Sequence, residues 1–326
     1  MARGISVHCH HVRRRLCLSR RSVLAAVVLA GLGIAIAPSA SLLAQGAGSA
    51  DRIIISGASG NLGGLTVKAL LARGVPASRL ILVSRTPEKE AEYAKLGASV
   101  RFGDFTKPES LAAAYAGGAR MLLISVGDTK DAPATTLLKR AIDAAKAAGV
   151  KQIAYTSYIG ISRGDVEGLA ANHQQTETDL KASGVAWTML RNSIYMDGLV
   201  AQAARMVADG KAVIPPNESP IGYITRADCA AAAAAVLATP GHENKAYDVT
   251  GPELLGVREI AAAATAATGK PIDVVQGGAD ARPGFGRPAM AFTSMDFKQL
   301  TGREPTSVRE LFSANKEKLL TPPAAR

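Results

Sequence analysis

The sequence predicts an α/β protein: a doubly wound parallel sheet covered by helices on both faces, with a smaller C-terminal α/β lobe. Two observations carry this. Short apolar runs alternate with helical stretches from residue 51 onward, and the runs are continuous in Ile, Leu and Val, as strands buried on both faces require. A glycine-rich turn follows the first run and opens the first helix. The composition agrees, since 326 residues with 48% apolar and 20% charged side chains exclude a disordered chain, a collagen and a disulfide framework.

The elements follow in order. Residues 52–56 (Arg-Ile-Ile-Ile-Ser) form the first strand, and a helix runs through Leu65, Ala69, Leu70 and Leu71 to stop at Gly74. Leu80 to Val83 is the second strand, and Thr86-Pro87-Glu88 opens the second helix with a capping residue and a proline in the first turn. Strands at 98–102, 121–126, 152–156 and 186–190 continue the series. Between them lie helices at about 108–116, 134–148 and 173–183, which run into glycine at Gly117, Gly149 and Gly184. Beyond residue 195 the regularity loosens. A helix at 199–208, a Pro215-Pro216 loop, an alanine-rich helix at 227–238, a strand at 246–249 and helices near 257–268, 295–301 and 306–319 make the smaller lobe. The chain thus divides into a leader at 1–50, a nucleotide-binding domain at 51–195, and a substrate-binding lobe at 196–326 that shares part of the sheet.

The charge is unevenly placed. Of a formal +11, residues 1–50 supply six arginines (Arg3, Arg13, Arg14, Arg15, Arg20, Arg21) and no Asp, Glu or Lys. An Arg-rich start, the apolar run Val23 to Ala37, Pro38 and a small-residue stretch make the three-part plan of a secretory signal. The run is shorter than the roughly 20 residues a membrane span needs. Cleavage is expected after Ala44 or nearby. Ser19-Arg20-Arg21-Ser22-Val23-Leu24 resembles the twin-arginine signal of bacterial export, so the expected location is exported or periplasmic. A mitochondrial-type presequence, an uncleaved anchor and an upstream start adding non-native residues stay open, with a cytoplasmic location if the leader is misassigned. Membrane contact is expected only in transit. His8, Cys9, His10, His11 and Cys17 also fall here and are not assigned to a metal. Past the leader only Cys229 remains, which permits no internal disulfide. With the leader set aside, the remaining positive charge shows no aromatic-interleaved basic stripe, and nucleic acid is not an expected partner.

The turn Gly57-Ala58-Ser59-Gly60-Asn61-Leu62-Gly63 carries the first chemical signal. Strand, glycine turn, helix and second strand are the context of a Rossmann-type dinucleotide site: a turn without Cβ, a backbone that approaches the pyrophosphate, and helix N–H groups facing it. After the second strand the chain reads Val83-Ser84-Arg85-Thr86, with no acid before Glu88. An acid there accepts from a ribose 2′-hydroxyl, while a base pairs with a 2′-phosphate, so NADP(H) is favoured over NAD(H). The competing reading of Arg85 is a solvated strand-end charge. Asp104 is placed beside the adenine ring; its rival role, compatible with the first, is a turn residue ahead of a Thr106-x-x-Glu109 capping box.

Gly-Ala-Ser-Gly-Asn-Leu-Gly, Ser-Arg-Thr-Pro, Gly-Asp-Phe, Leu-Leu-Ile-Ser, residues 144–157, His-Gln-Gln-Thr-Glu, Leu-Arg-Asn-Ser-Ile-Tyr and Arg-Ala-Asp together resemble the NmrA-like group of atypical short-chain dehydrogenases. Within that group the likeness is to the bacterial NADPH-dependent quinone oxidoreductases, over about residues 52–320. One feature of ordinary short-chain dehydrogenases is missing: no tyrosine is followed four residues later by lysine. Reduction of a quinone tolerates that loss, because hydride delivered to an electron-poor ring gives a stabilised anion.

The resemblance implies that Ser125 and Val126 pass beside the cofactor and that Thr156, Ser157 and Tyr158 line the nicotinamide side. It also implies pocket roles for His173, Asn192 and Tyr195. Each has a rival: a helix-cap or surface place for His173, and packing against the small lobe for Tyr195. Glu177 stands equally as a structural partner of Arg191, and Arg226 and Asp228 as a helix-start interaction. The function expected is NADPH-dependent hydride transfer to a quinone or similar small electrophile. The alternative is a non-catalytic NADP(H)-binding redox sensor. A homodimer is left open.

Overall fold

The computed structural model describes residues 52–321 except 279 and 282. The leader expected over 1–50 lies outside the described residues. The elements are β1 (Ile53–Ser56), α1 (Asn61–Ala72), β2 (Leu80–Ser84), α2 (Ala91–Lys95), β3 (Ser99–Phe102), α3 (Leu111–Tyr115), β4 (Arg120–Leu123), α4 (Ala134–Ala147), β5 (Gln152–Tyr158), α5 (Leu169–Ala182) and β6 (Ala186–Asn192). There follow α6 (Leu199–Asp209), β7 (Lys211–Ile214), α7 (Arg226–Ala238), β8 (Lys245–Val249), α8 (Val257–Thr268), β9 (Asp273–Gln276), α9 (Asp296–Thr301), α10 (Val308–Ala314) and α11 (Lys316–Leu320).

Seven strands pair in the order β3-β2-β1-β4-β5-β6-β8, and every pairing is parallel. The chain winds outward from β1 in one direction and then from β4 in the other, which opens a crevice at the strand ends between β1 and β4. The continuous runs behave as their composition demands: Ile53, Ile54, Ile55, Leu80, Ile81 and Leu82 are fully buried. One face of the sheet packs under α1 and α7, the other under α3, α4 and α5.

The alanine-rich helix α7 has a packing explanation. Ala230, Ala232, Ala233, Ala234 and Ala235 are all buried, and side chains this small let α7 lie close against α1 over β1. Helix α7 and strand β8 therefore return to the main layers, β8 pairing with β6 from Thr188 opposite Lys245 to Asn192 opposite Val249. The remaining C-terminal elements, α6, α8, α10 and α11, enclose a core of their own around Met206, Ile260 and Phe312.

Several boundaries differ from the sequence reading. The strand expected over 121–126 ends at Leu123, because the Ser125 amide leaves the ladder and donates to Thr156 Oγ1 at 2.8 Å. Strands β5 and β6 run on to Tyr158 and Asn192, and Ile159 N still donates to Asn192 O. The helix expected at 306–319 is broken at Asn315. Neither strand of the small parallel sheet β7–β9 was anticipated; β7 alternates buried and exposed residues over only four positions. The Thr106-x-x-Glu109 capping box does not form: Lys107 caps a short 3-10 turn, Pro108–Ser110, and the Thr106 hydroxyl donates to Asp104 Oδ1 instead. Thr86 precedes a 3-10 turn at Pro87–Glu90 without a side-chain cap, its hydroxyl being engaged by Ser59 and Ser84.

Candidate functional site

A cleft of about 780 Å³ opens at the carboxyl ends of β1, β2 and β4, on the crevice that the strand order creates. Gly57 begins its floor with φ +98°, a conformation L side chains avoid, and its amide and that of Ala58 both bond Val83 O at 2.9 and 3.0 Å. Gly60 caps α1 in an extended conformation with no side-chain cap, so the first-turn amides of Asn61, Leu62 and Gly63 are left for a ligand. Gly63 has a different task. A Cβ there would stand 2.2 Å from Gly57 O and 2.8 Å from Ala58 Cα, so it is the residue that allows α1 to press on the turn.

Of the residues read as cofactor-binding, Gly57, Ser59, Gly60, Arg85, Asp104, Ser125 and Val126 line this cleft. Asn61, Leu62 and Gly63 sit behind it as the helix start, Leu62 being buried. Thr156 braces the wall from beneath, accepting from Ser125 N and donating to Ser125 Oγ at 3.2 Å. Asp104 takes the turn role: its Oδ1 accepts from the amide and hydroxyl of Thr106, both at 2.9 Å, while the residue still borders the cleft.

Ser84, Thr86 and Lys89 also line the cleft, and none of them was read as cofactor-binding from the sequence. Ser59 Oγ lies 2.6 Å from Ser84 Oγ, and Thr86 Oγ1 donates to Ser59 Oγ at 3.2 Å, giving three linked hydroxyls. Lys89 joins Arg85 at the rim, and neither enters an ion pair among the described residues. The available signal was the Arg85-x-x-x-Lys89 spacing, which turns both cations to one side where the chain coils after β2. Two cations, three hydroxyls and uncapped helix amides are a donor set suited to a dinucleotide bearing an extra phosphate.

The ends of β5 and β6 are built otherwise. Ser157 faces away from the cleft and donates to Glu177 Oε1 at 2.7 Å, a departure from its expected place on the nicotinamide side. Arg191 grips the same carboxylate through Nε at 2.9 Å and Nη2 at 2.7 Å. Burial alone would raise the Glu177 carboxyl, but hydrogen bonds from Arg191 and Ser157 outweigh it and hold it below the usual range. Glu177 is therefore the structural partner of Arg191.

His173 is buried, with Nδ1 2.7 Å from Tyr155 Oη and its ring stacked on Tyr158 at 5.5 Å. Burial pushes its imidazole down to about 4, against the pull of Glu177, so it is neutral near pH 7. Asn192 is buried with Oδ1 unpartnered, next to Tyr195, whose ring carries the Arg226 guanidinium at 4.5 Å. Asp228 receives Arg303 Nη2 at 2.6 Å and the Thr306 amide at 2.9 Å, which pins the C-terminal segment to the start of α7.

Comparison with known proteins fits this geometry. The family described as NAD(P)H-binding matches residues 57–240. The chain belongs to the NAD(P)H-binding, NmrA-like family. It is 37% identical over 221 residues to quinone oxidoreductase 2 of Escherichia coli, covering 68% of this chain and 76% of that protein. It is 31% identical over 224 residues to the NAD(P)H azoreductase of Xenophilus azovorans, covering 68% and 76%. The crystal structure of the NADPH-dependent quinone oxidoreductase QOR2 from E. coli, complexed with NADPH, superposes with a TM-score of 0.72 at 31% identity, covering 81% of this chain and 99% of that one. The cleft of β1, β2 and β4 begins where the matched region does, at Gly57, and presents Arg85, Lys89 and the three hydroxyls.

Proposed function

We propose that this NAD(P)H-dependent oxidoreductase passes hydride from NADPH to a quinone or a similar electrophilic ring. The observation that carries the cofactor half is the donor set around Arg85, with no carboxylate at the end of β2 to accept from a 2′-hydroxyl. The acceptor half is supported by the relatives, a quinone oxidoreductase and an azoreductase, and by the absence of a Tyr-x-x-x-Lys pair for alcohol chemistry. Bound NADPH supplies the hydride. The chain's own part is to hold the phosphates with the α1 amides and Arg85, to fix the cleft wall through Thr156 and Ser125, and to keep the β5–β6 end dry. The non-catalytic sensor is not favoured, since these relatives are enzymes by name.

Anaerobic NADPH oxidation by the purified protein, against benzoquinones and naphthoquinones with NADH in parallel, tests the reading. Turnover with NADPH in preference to NADH is expected, and tight NADPH binding without turnover of any acceptor overturns it. We further propose that the protein is exported by its twin-arginine-like leader, with cofactor travelling inside the folded chain. Replacing Arg20 and Arg21 by Lys is expected to retain the protein in the cytoplasm; an unchanged distribution refutes export by that route.

A further inference from the structure

The loop from Gly160 to Gly168 follows β5 and leads into α5. Every strand of the main sheet is parallel, so the loop lies at the same edge as the cofactor cleft, and it starts shortly beyond the Thr156 that braces the cleft wall. Its backbone bonds close upon themselves. Arg163 N and Asp165 N both donate to Gly160 O, at 2.9 and 3.0 Å, and Gly164 N donates to Ile161 O at 3.2 Å. Gly160, Gly164 and Gly168 hold φ of +90°, +81° and +52°, which L side chains avoid. A Cβ at Gly164 or Gly168 would meet nothing within 4 Å, and Val166 and Leu169 are 53% and 51% exposed. The loop is thus a compact unit with a glycine at either end and an outer side that packs on nothing.

The segment it rests on, residues 284–292, is keyed into the smaller lobe. Gly284 N donates to Asn217 Oδ1 at 2.8 Å, a Cβ at Gly286 would stand 2.0 Å from Ser219 O, and one at Gly222 would stand 2.5 Å from Phe292 O. Backbone that fits this closely does not shift alone. Side chains tie the loop down to it. Arg287 Nη2 binds the Asp165 carboxylate at 2.8 Å, both terminal nitrogens of Arg287 point to Glu167 O at 3.4 and 3.5 Å, and the Arg163 guanidinium lies 3.9 Å from the centre of the Phe292 ring. From the side, Ser162 Oγ donates to Asp248 Oδ2 of β8 at 2.9 Å. Asp165 is the one buried residue between Ser162 and Leu169, its side chain 4% exposed, and Arg287 is its ion-pair partner. Ile161, from the loop, closes over a buried cluster that includes Tyr158, Ile159, Met290 and Phe292.

We propose that Gly160–Gly168 is a hinged flap, latched by the Asp165–Arg287 pair, whose opening admits the acceptor ring to the carboxyl end of β5 and β6. This deepens the reading of the protein as an NADPH-dependent quinone reductase and rests on it. In a fold of this strand order the adenosine ribose lies at the end of β2 and the pyrophosphate at the start of α1, which sends the hydride-bearing half of a dinucleotide past β4 towards β5. The cleft is open at its β2 side, but the neighbouring β5–β6 end is covered: Tyr158 and Asn192, opposite each other in the sheet, are 6% and 5% exposed. An acceptor that meets the hydride there needs the cover to move and then to return, excluding water. The glycine-flanked loop is the side that moves, and separating a largely buried carboxylate from its arginine is the step that limits opening.

The test follows a thiol placed under the flap. In the full-length protein carrying Cys9→Ser and Cys17→Ser, Met290→Cys puts a thiol on the fixed segment at a position 1% exposed, while Cys229, buried under α7, reports unfolding of the whole fold. Ala170→Cys, fully buried in the same cluster, repeats the measurement from α5. The probe is dithionitrobenzoate, itself an aromatic ring. Arg287→Met is expected to speed labelling of the Met290→Cys thiol about a hundredfold and Asp165→Asn about tenfold, with Arg287→Lys close to the parent and Cys229 unchanged. No acceleration overturns the latch. Equal acceleration at Cys229 overturns the flap, since the variants then only loosen the fold. In turnover, Arg287→Met should raise kcat/KM for a bulky naphthoquinone about fivefold more than for benzoquinone and leave NADPH affinity unchanged. An unchanged ratio between the two acceptors overturns the gate. A parent protein that reduces no quinone overturns the acceptor reading alone, because labelling still decides whether an aromatic molecule enters when the pair is broken.

Discussion

At the β1–β2 end of the sheet the cleft is lined by backbone, small hydroxyls and two exposed cations, whereas the β5–β6 end holds large, buried, ionisable side chains tied to one another. The first arrangement is made by leaving out side chains: Gly57 for its positive φ, Gly63 for close approach, and no capping side chain on α1. The second is made by interlocking them, with Ser157, Glu177 and Arg191 in one network and Tyr155, His173 and Tyr158 in another. The pyrophosphate of a dinucleotide can be held by backbone donors at a helix start.

If that contrast is real, the β5–β6 end carries stability through buried charge and the β1–β2 end does not. The largest effect is expected from Glu177→Ala, which strands Arg191 and Ser157 and should cost about 3–5 kcal/mol in urea unfolding. Because the Glu177 carboxyl is held below its ordinary 4.5, its contribution is complete above that value and lost as pH falls through the lower folded value. Glu177→Gln should therefore flatten the acid limb of the stability curve.

His173 comes next. Its folded value of about 4 lies below the ordinary 6.5, so the folded state excludes a proton that the unfolded chain takes up between those values. Stability is complete above pH 6.5 and falls by about 3 kcal/mol as pH drops to 4. His173→Gln should remove that slope, and kcat/KM of the parent should show no inflexion near 6.5. Persistence of the slope in the variant would place its origin elsewhere.

At the other end Gly63→Ala is expected to cost about 2 kcal/mol, since the obstacle is backbone and not a side chain that can swing away. It should weaken NADPH and NADH equally in a fluorescence titration. The smallest change is Arg85→Ala, with a loss of about tenfold in NADPH affinity and none for NADH, diminishing with added salt. An unchanged NADPH-to-NADH ratio removes Arg85 from the phosphate site, leaving Lys89 to be tested the same way.

The cleft at the β1–β2 end was readable in the sequence because its residues are contiguous: seven positions from Gly57 to Gly63 and the stretch from Ser84 to Lys89 each follow or close a strand. Even there the hydroxyl triangle was not, since Ser59 and Ser84 are adjacent only because β1 and β2 pair in register from Ile53 opposite Leu80. The β5–β6 end read poorly. Ser157 looked like a cofactor contact, yet strand alternation turns it toward α5 and Glu177. Arg287 and Asp165 gave no signal at all, lying in loops 122 residues apart with no spacing rule between them.

The sequence by itself determined the parallel α/β fold, the glycine turn and a strand end at Arg85 without an acid, because these depend on local periodicity, Cβ-free positions and the residues that directly follow a strand. Only the tertiary structure decided that α7 and β8 return to the main sheet, that His173 is neutral, and that Arg287 pairs with Asp165. Burial and pairing between distant segments set those properties, and a residue's neighbours in space are not written in its neighbours along the chain.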